Sequence, residues 1–236
     1  MIGLALVTQL GGGASLGYSE PSYTFNDEFS GNVLSSVWGR HWGWLGESRF
    51  TRDLATVGGG VLSLSAQRQE DHWRSGLVDT STSFRQLYGH FEARIRIPQG
   101  YGLWPAFWVA QGWEVDGPAE IDMMEVCANP PASRSGNDVS RLHERVHFAG
   151  GGLAGNDART KDLSQGWHVY GMDWRADHVT FLLDGAEVWT YGGADVPSVP
   201  MPLVLDLAVG GSWCGPSEAS TPDPAEMLVD WVRVTN

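Results

Sequence analysis

Three scarcities bound this chain before any motif is read. Cysteine occurs only at Cys127 and Cys214, which excludes a disulfide framework and leaves one bridge or two free thiols open. Positive charge is short: 15 Lys and Arg stand against 28 Asp and Glu, a net charge of −13. That balance argues against nucleic acid and membrane surfaces as partners, and more weakly against sulfated or uronic polysaccharides, leaving a neutral polymer favoured. Long apolar runs are missing, since nothing approaches the ~20 residues of a membrane span. No helix-period segment of useful length and no internal repeat is found. The opening MIGLALVTQLGGGASLG has a short apolar run without a basic flank, a poor export signal. Residues 1–21 read as a flexible leader or the remnant of such a signal, ahead of a single domain over 22–236.

What is abundant points to a β protein. Hydrophobic residues make up 42% of the 236 and charged residues 18%, enough for a well-buried core. Glycine, at 31, fits many tight turns, and twelve tryptophans exceed what a core alone asks for. Tyr88 to Pro98 alternates as a half-buried strand, with Phe91, Ala93, Ile95 and Ile97 on one side. Further strands are expected at Val61–Leu64, Gly76–Thr82, Val146–Phe148, His168–Trp174, Val179–Asp184, Glu187–Tyr191, Leu203–Val209 and Met227–Val234. Asp184-Gly185 marks a tight hairpin. Trp38 to Phe50, aromatic and glycine-rich, reads as a loop lining a cleft. Many short strands with glycine turns imply an all-β sandwich or barrel.

The chemistry concentrates in Gly102 to Cys127, GLWPAFWVAQGWEVDGPAEIDMMEVC. Side chains alternate along a strand, so Glu120 and Asp122 share one face and Ile121 and Met123 the other. Strict alternation would send Glu125 to the apolar side and Val126 to the polar side. One extra residue, a β-bulge at Met123 or Met124, corrects both. The bland reading of three acids is a solvated strand face, but the opposite face is too apolar for a surface ribbon. Two carboxylates flanking a sugar linkage are what glycoside hydrolysis requires, and a close pair gives retention of configuration. Upstream, Trp104, Ala106, Trp108 and Ala110 share a face; Phe107 and Val109 suit the core, which leaves both tryptophans facing a cleft unless they too are core residues.

These blocks, GLWPAFW, EIDMMEV, WHVYGMDW, LAVGGSW and MLVDWVRV in that order, resemble glycoside hydrolase family 16, most closely its laminarinase-type endo-β-1,3-glucanases. The resemblance covers about residues 22–235. It implies a β-jelly-roll sandwich of two curved antiparallel sheets with an open concave cleft, no catalytic cofactor, and a monomer acting on neutral β-glucan. By matching position, Glu120 is the nucleophile, Glu125 the acid/base, and Asp122 a hydrogen-bond partner of the nucleophile. Trp104, Trp108 and Trp213 become sugar platforms. His147 matches a histidine near the acid/base, with a purely structural role as its alternative. The bulged ExDxxE spacing also occurs in agarases and carrageenases, so β-1,3-glucan, with mixed-linkage β-1,3-1,4-glucan, is favoured over galactans on the other blocks and on charge. A transglycosylase and a non-catalytic glucan-binding jelly roll are the rival functions.

Three departures from the family pattern matter. An Asn-Glu-rich segment is replaced by GWLGESRFTRD, where only Glu47 and Arg49 substitute as substrate-binding residues. Ser75-Gly76-Leu77 stands where Ser-Gly-Arg is usual. Trp213-Cys214-Gly215 replaces Trp-Pro-Gly, and with Cys127 following Glu125 on the cleft face, a Cys127–Cys214 disulfide is expected, suiting an oxidising, extracellular setting. The family often holds one structural calcium away from the cleft, and by position its ligands would be Glu28, the Gly60 carbonyl and Asp230. A plain surface role for Asp230 is the alternative.

Overall fold

The computed structural model describes residues 22–40, 43–112, 118–131 and 136–236, so the expected leader over 1–21 lies outside the described residues. The chain opens with β1 (Tyr23–Asp27), β2 (Gly39–Arg40), β3 (Gly43–Leu45) and β4 (Ser48–Phe50). After a 3-10 turn at Arg52–Leu54 come β5 (Ala55–Gly58), β6 (Val61–Arg68), β7 (Trp73–Ser75) and β8 (Leu77–Asp79). Two long strands, β9 (Gly89–Arg96) and β10 (Leu103–Ala110), lead to β11 (Glu120–Glu125). The remainder supplies β12 (Arg141–His147), β13 (Leu153–Arg159), β14 (His168–Trp174) and β15 (His178–Leu183). The last three are β16 (Ala186–Gly192), β17 (Leu203–Val209) and β18 (Ala225–Thr235).

These strands form two stacked sheets, an all-β jelly roll. One has 11 strands in the order β16-β15-β14-β9-β18-β6-β7-β4-β3, with β1 also on β18 and β5 also on β6. The other has seven, ordered β13-β12-β11-β10-β17-β8-β2. Pairing is antiparallel except between β4 and β7, a parallel contact where only antiparallel sheets were expected. The Trp38–Phe50 region, read as a loop, is built into three very short strands because β4 finds β7 and β2 finds β8. Asp184 and Gly185, at φ of 52° and 76°, make the expected tight turn.

The core lies between the sheets. Phe91, Ala93 and Ile95 of β9 meet Ile121, Met123 and Met124 of β11, Leu142 and Val146 of β12, and Leu205 and Leu207 of β17. Each fully buried aliphatic or aromatic side chain contributes about 1.5–3 kcal/mol. This apolar layer fixes which face of β10, β11 and β17 turns outward. A smaller cluster of Phe50, Leu77, Val204 and Ala208 forms on that outward face, with Trp104 and Trp108 packed against it. The outward face of the seven-stranded sheet is where the polar chemistry gathers.

Candidate active site

β10 and β11 pair with a slip: Phe107 faces Met124, yet Trp108 faces Asp122. Met123 is therefore the extra residue, and the same slip recurs between Asp122 and Glu125 against β12. Met123 and Met124 both turn into the core at 0% exposure. That double inward step returns Glu125 to the face of Glu120 and Asp122, and all three carboxyls line one cavity of about 880 Å³.

Cross-strand pairing arranges the floor of this cavity in rungs. The first runs Leu153–His147–Glu120–Ala110. The next is Gly155–Arg145–Asp122–Trp108–Val204–Asp79. A third is Asp157–His143–Glu125–Ala106–Asp206–Leu77. Trp104, Ala106, Trp108 and Ala110 of β10 all line the cavity, as their shared parity predicts.

The tryptophans are bound to carboxyls as well as facing the cavity. Trp104 Nε1 donates to Glu125 Oε1 at 3.0 Å, and Trp108 Nε1 donates to Asp206 Oδ1 at 2.9 Å. Trp213 does not line the cavity itself; it packs edge-on to Trp104, ring centres 4.9 Å apart, and to His143 at 4.8 Å. His147 reaches the carboxyl cluster from β12, and its charge is felt at Glu125 as well. It stands across from Glu120, not Glu125, with Nε2 3.0 Å from Asp122 Oδ2 and 3.6 Å from Glu120 Oε1. The histidine across from Glu125 is His143, whose Nδ1 contacts Asp157 at 2.7 Å.

Burial drives the electrostatics. Asp122 is 2% and Asp206 3% exposed, and desolvation raises every carboxyl in the group. Glu120 is pushed up to about 8, by burial first and then by the charge of Asp122. Glu125 reaches about 7, burial and the Glu120 charge outweighing the Trp104 hydrogen bond. Asp206 also reaches about 7, and Asp122 lies well above the usual carboxylate range. Arg145 opposes this rise at Asp122 and Glu125, although its guanidinium is also engaged by Asp157. Glu120 standing above Glu125 is the reverse of what an ionised attacker and a protonated donor need. The hydrogen bond between Glu120 and Asp122 raises the one and lowers the other, so the two titrate as a coupled pair and not as separate acids.

Glu47 and Arg49 are corrected: neither lines the cavity. Phe50 of β4 does, so Arg49, one residue earlier, lies on the other face of the strand and is exposed. Glu47 accepts hydrogen bonds from Ser217 N at 3.2 Å and Ser217 Oγ at 2.6 Å, which ties down the segment carrying Trp213. Gly210 makes this possible: at φ 77° a Cβ there would sit 2.4 Å from the Glu47 side chain. The same segment is held from its other side by the Cys127–Cys214 disulfide, Cα atoms 5.0 Å apart. Glu47 is thus a clamp, and a contact spanning 170 residues is invisible to local reading.

The calcium set does not fit a cation as it stands. Glu28 Oε1 accepts from Arg233 Nε and Nη2, at 3.0 and 2.9 Å, and Asp230 Oδ2 from Arg94 Nη1 at 2.5 Å. An ion would have to displace two guanidinium groups. Among the described residues, the donor trio within 4.8 Å is Glu120, Asp122 and His147, already accounted for by their hydrogen bonds to one another.

Asp206 was missed from sequence, as were Arg85 and Asp79, all of which line the cavity, whereas Trp44 lies in the Trp38–Phe50 stretch expected to line a cleft and does so. A single acid in the otherwise apolar run LVLDLAVGG was the available signal, the same kind that betrayed Glu120.

A profile of glycosyl hydrolases family 16 matches residues 47–233. A beta-glucanase of Rhodothermus marinus is 30% identical, the match covering 84% of this chain and 77% of that protein. Endo-1,3-1,4-beta-glycanase ExsH of Rhizobium meliloti is 29% identical over 93% of this chain, which spans about half (52%) of that relative's length. It spans 35% of a second glycanase from the same organism, EglC, at 33% identity. Among solved structures, the catalytic domain of a Thermotoga petrophila laminarinase superposes with a TM-score of 0.78 at 25% identity, covering 91% of this chain and 97% of that one. With the family profile spanning most of its length, this chain belongs to glycosyl hydrolases family 16.

Proposed function

We propose that this chain is a retaining endo-glycoside hydrolase acting on neutral β-1,3-glucan, including mixed β-1,3-1,4-glucan. The observation that carries the reading is the Met123 bulge, which brings Glu120, Asp122 and Glu125 into one open cavity floored by Trp104 and Trp108. Glu120 attacks the anomeric carbon while Glu125 gives its proton to the glycosidic oxygen, and the bond to the leaving sugar breaks. Glu125, now a carboxylate, then takes a proton from water, which attacks the glycosyl-enzyme and restores Glu120. Asp122, in contact with His147 Nε2 at 3.0 Å, is the coupled partner through which the ionisation of Glu120 is tuned. Flat indole faces beside the carboxyls suit sugar rings. Among the described residues, carboxyls of Asp79, Glu120, Asp122, Glu125 and Asp206 outnumber the one lining guanidinium, Arg85, which favours an uncharged polymer. The disulfide suits an oxidising compartment, so we place the protein outside the cell.

The test is incubation with laminarin, lichenan, agarose and carrageenan, with products resolved by size, beside Glu120→Gln. Laminarin and lichenan shorten, the galactans do not, and Glu120→Gln falls by a factor on the order of 10³ or more. Glucan bound without new chain ends, or a Glu120→Gln variant as active as the parent, overturns the reading.

A further inference from the structure

Asp206 sits in the middle of β17 with nothing yet assigned to it. It pairs with Ala106 on one side of β10, while Glu125 pairs with the same Ala106 on the other. Neighbouring strands lie about 4.8 Å apart, so the two carboxyl-bearing residues are separated by two strand spacings and a single methyl group. Asp206, Ala106 and Glu125 all line the cavity, so the two acids overlook the same space above Ala106. We propose that Asp206 is a positioning residue for the acid/base step, a second carboxyl facing Glu125 across Ala106 whose negative field retains the Glu125 proton. This rests on Glu125 being the acid/base.

A purely structural role can be separated from this one. Asp206 Oδ1 accepts the Trp108 Nε1 hydrogen bond, and an asparagine oxygen would accept it equally well. If Asp206 serves only to hold Trp108 and the Ala208 backbone N–H, Asp206→Asn lowers stability and leaves the titration of Glu125 where it is. If its charge matters, Asp206→Asn changes the titration of Glu125 while leaving Trp108 in place. The groups facing this pair are Glu120 and Asp122 from β11, and His143, Arg145 and His147 from β12. Asp79 from β8 and the indole donors of Trp104 and Trp108 from β10 complete the set. Burial, opposed by the Trp108 hydrogen bond, and then the charge of Glu125 push Asp206 up to about 7, and a charge–charge interaction between two carboxyls over the same space is reciprocal. An ionised Asp206 disfavours ionisation of Glu125 and keeps the acid competent to higher pH.

The experiment compares kcat/KM against pH for the parent and Asp206→Asn. It uses laminarin and a dinitrophenyl β-glucoside of a laminari-oligosaccharide, whose leaving group needs no proton. On laminarin the alkaline limb of Asp206→Asn moves to lower pH by about half a unit or more. On the dinitrophenyl substrate the pre-steady-state burst rate keeps the parent's profile. An unmoved alkaline limb on laminarin, or an equal shift on both substrates, overturns the proposal. Should Asp206→Asn fail to fold, ¹³C-carboxyl titration of the unmodified protein decides. Coupled, biphasic curves for Asp206 and Glu125 support the role, and two independent single-site curves reject it. Glu125→Gln is the control for the underlying reading: it loses laminarin cleavage but keeps the dinitrophenyl burst. If it loses both, the acid/base assignment fails rather than the role of Asp206.

Discussion

Trp104 Nε1 points at Glu125 Oε1 from 3.0 Å, so one strand supplies both a flat indole face and a donor to the carboxyl on the next strand. A hydrogen bond to the ionised form lowers a carboxyl pKa, and here it works against burial. Trp104→Phe keeps the ring against Trp213 and removes only the donor. The alkaline limb of kcat/KM should rise by about one pH unit, opposite in sign to the effect of Asp206→Asn. A pH–rate profile on laminarin checks it, and a limb that falls or stays put contradicts the role given to this bond.

Glu144 faces the sandwich interior between Leu142 and Val146, with Asn156 Nδ2 donating to Oε2 at 3.1 Å. Its Oε1 has no hydrogen-bond partner among the described residues, and burial pushes the group to about 8. A carboxyl whose folded pKa is raised contributes stability below its unfolded value, near 4.5, that is lost as pH climbs through about 8. Glu144→Gln should therefore gain on the order of 2 kcal/mol over the parent at pH 8 relative to pH 5. Urea unfolding at the two pH values measures this, and a gain confined to pH 5 would contradict it.

Cys127 and Cys214 close a loop of 87 residues. Cys214→Ser should cost about 2–4 kcal/mol in denaturant unfolding under oxidising conditions. It also frees Trp213 from its seat on Trp104, so KM for laminarin should rise more than kcat falls. Two reactive thiols in the folded, unreduced parent would remove the premise.

Arginine pairing at Glu28 and Asp230 predicts that chelation is harmless. EDTA followed by thermal melting should leave Tm within about 1 °C, whereas loss of a bound stabilising ion shifts it by several degrees. A drop of that size, restored by Ca²⁺, would place an ion there after all.

Much of the catalytic strand was legible because two independent patterns broke parity together. Carboxyls and aliphatics both needed one extra residue after Asp122, and only a bulge satisfies both. β9, β10, β14 and β17 were legible from alternation or long apolar runs. β13 was not: Leu153–Arg159 is partly exposed along its whole length and is held as an edge by β12, so no hydrophobic pattern marks it. β7 escaped because three residues are too few to show a period. The placement of the histidines and of Asp206 depends on which strand lies beside which. His147 and His143 sit four residues apart on one strand, and only the register against β11 decides which glutamate each one meets. Asp206 reaches the site through β17 lying beside β10, an adjacency that local sequence does not encode.

The two methionines of the bulge point inward, so the spacer between the paired glutamates is anchored in the sandwich interior and not at the rim. Interior loosening would therefore tilt one glutamate against the other while the sheets remain hydrogen-bonded. Heat inactivation should precede the loss of β-sheet signal.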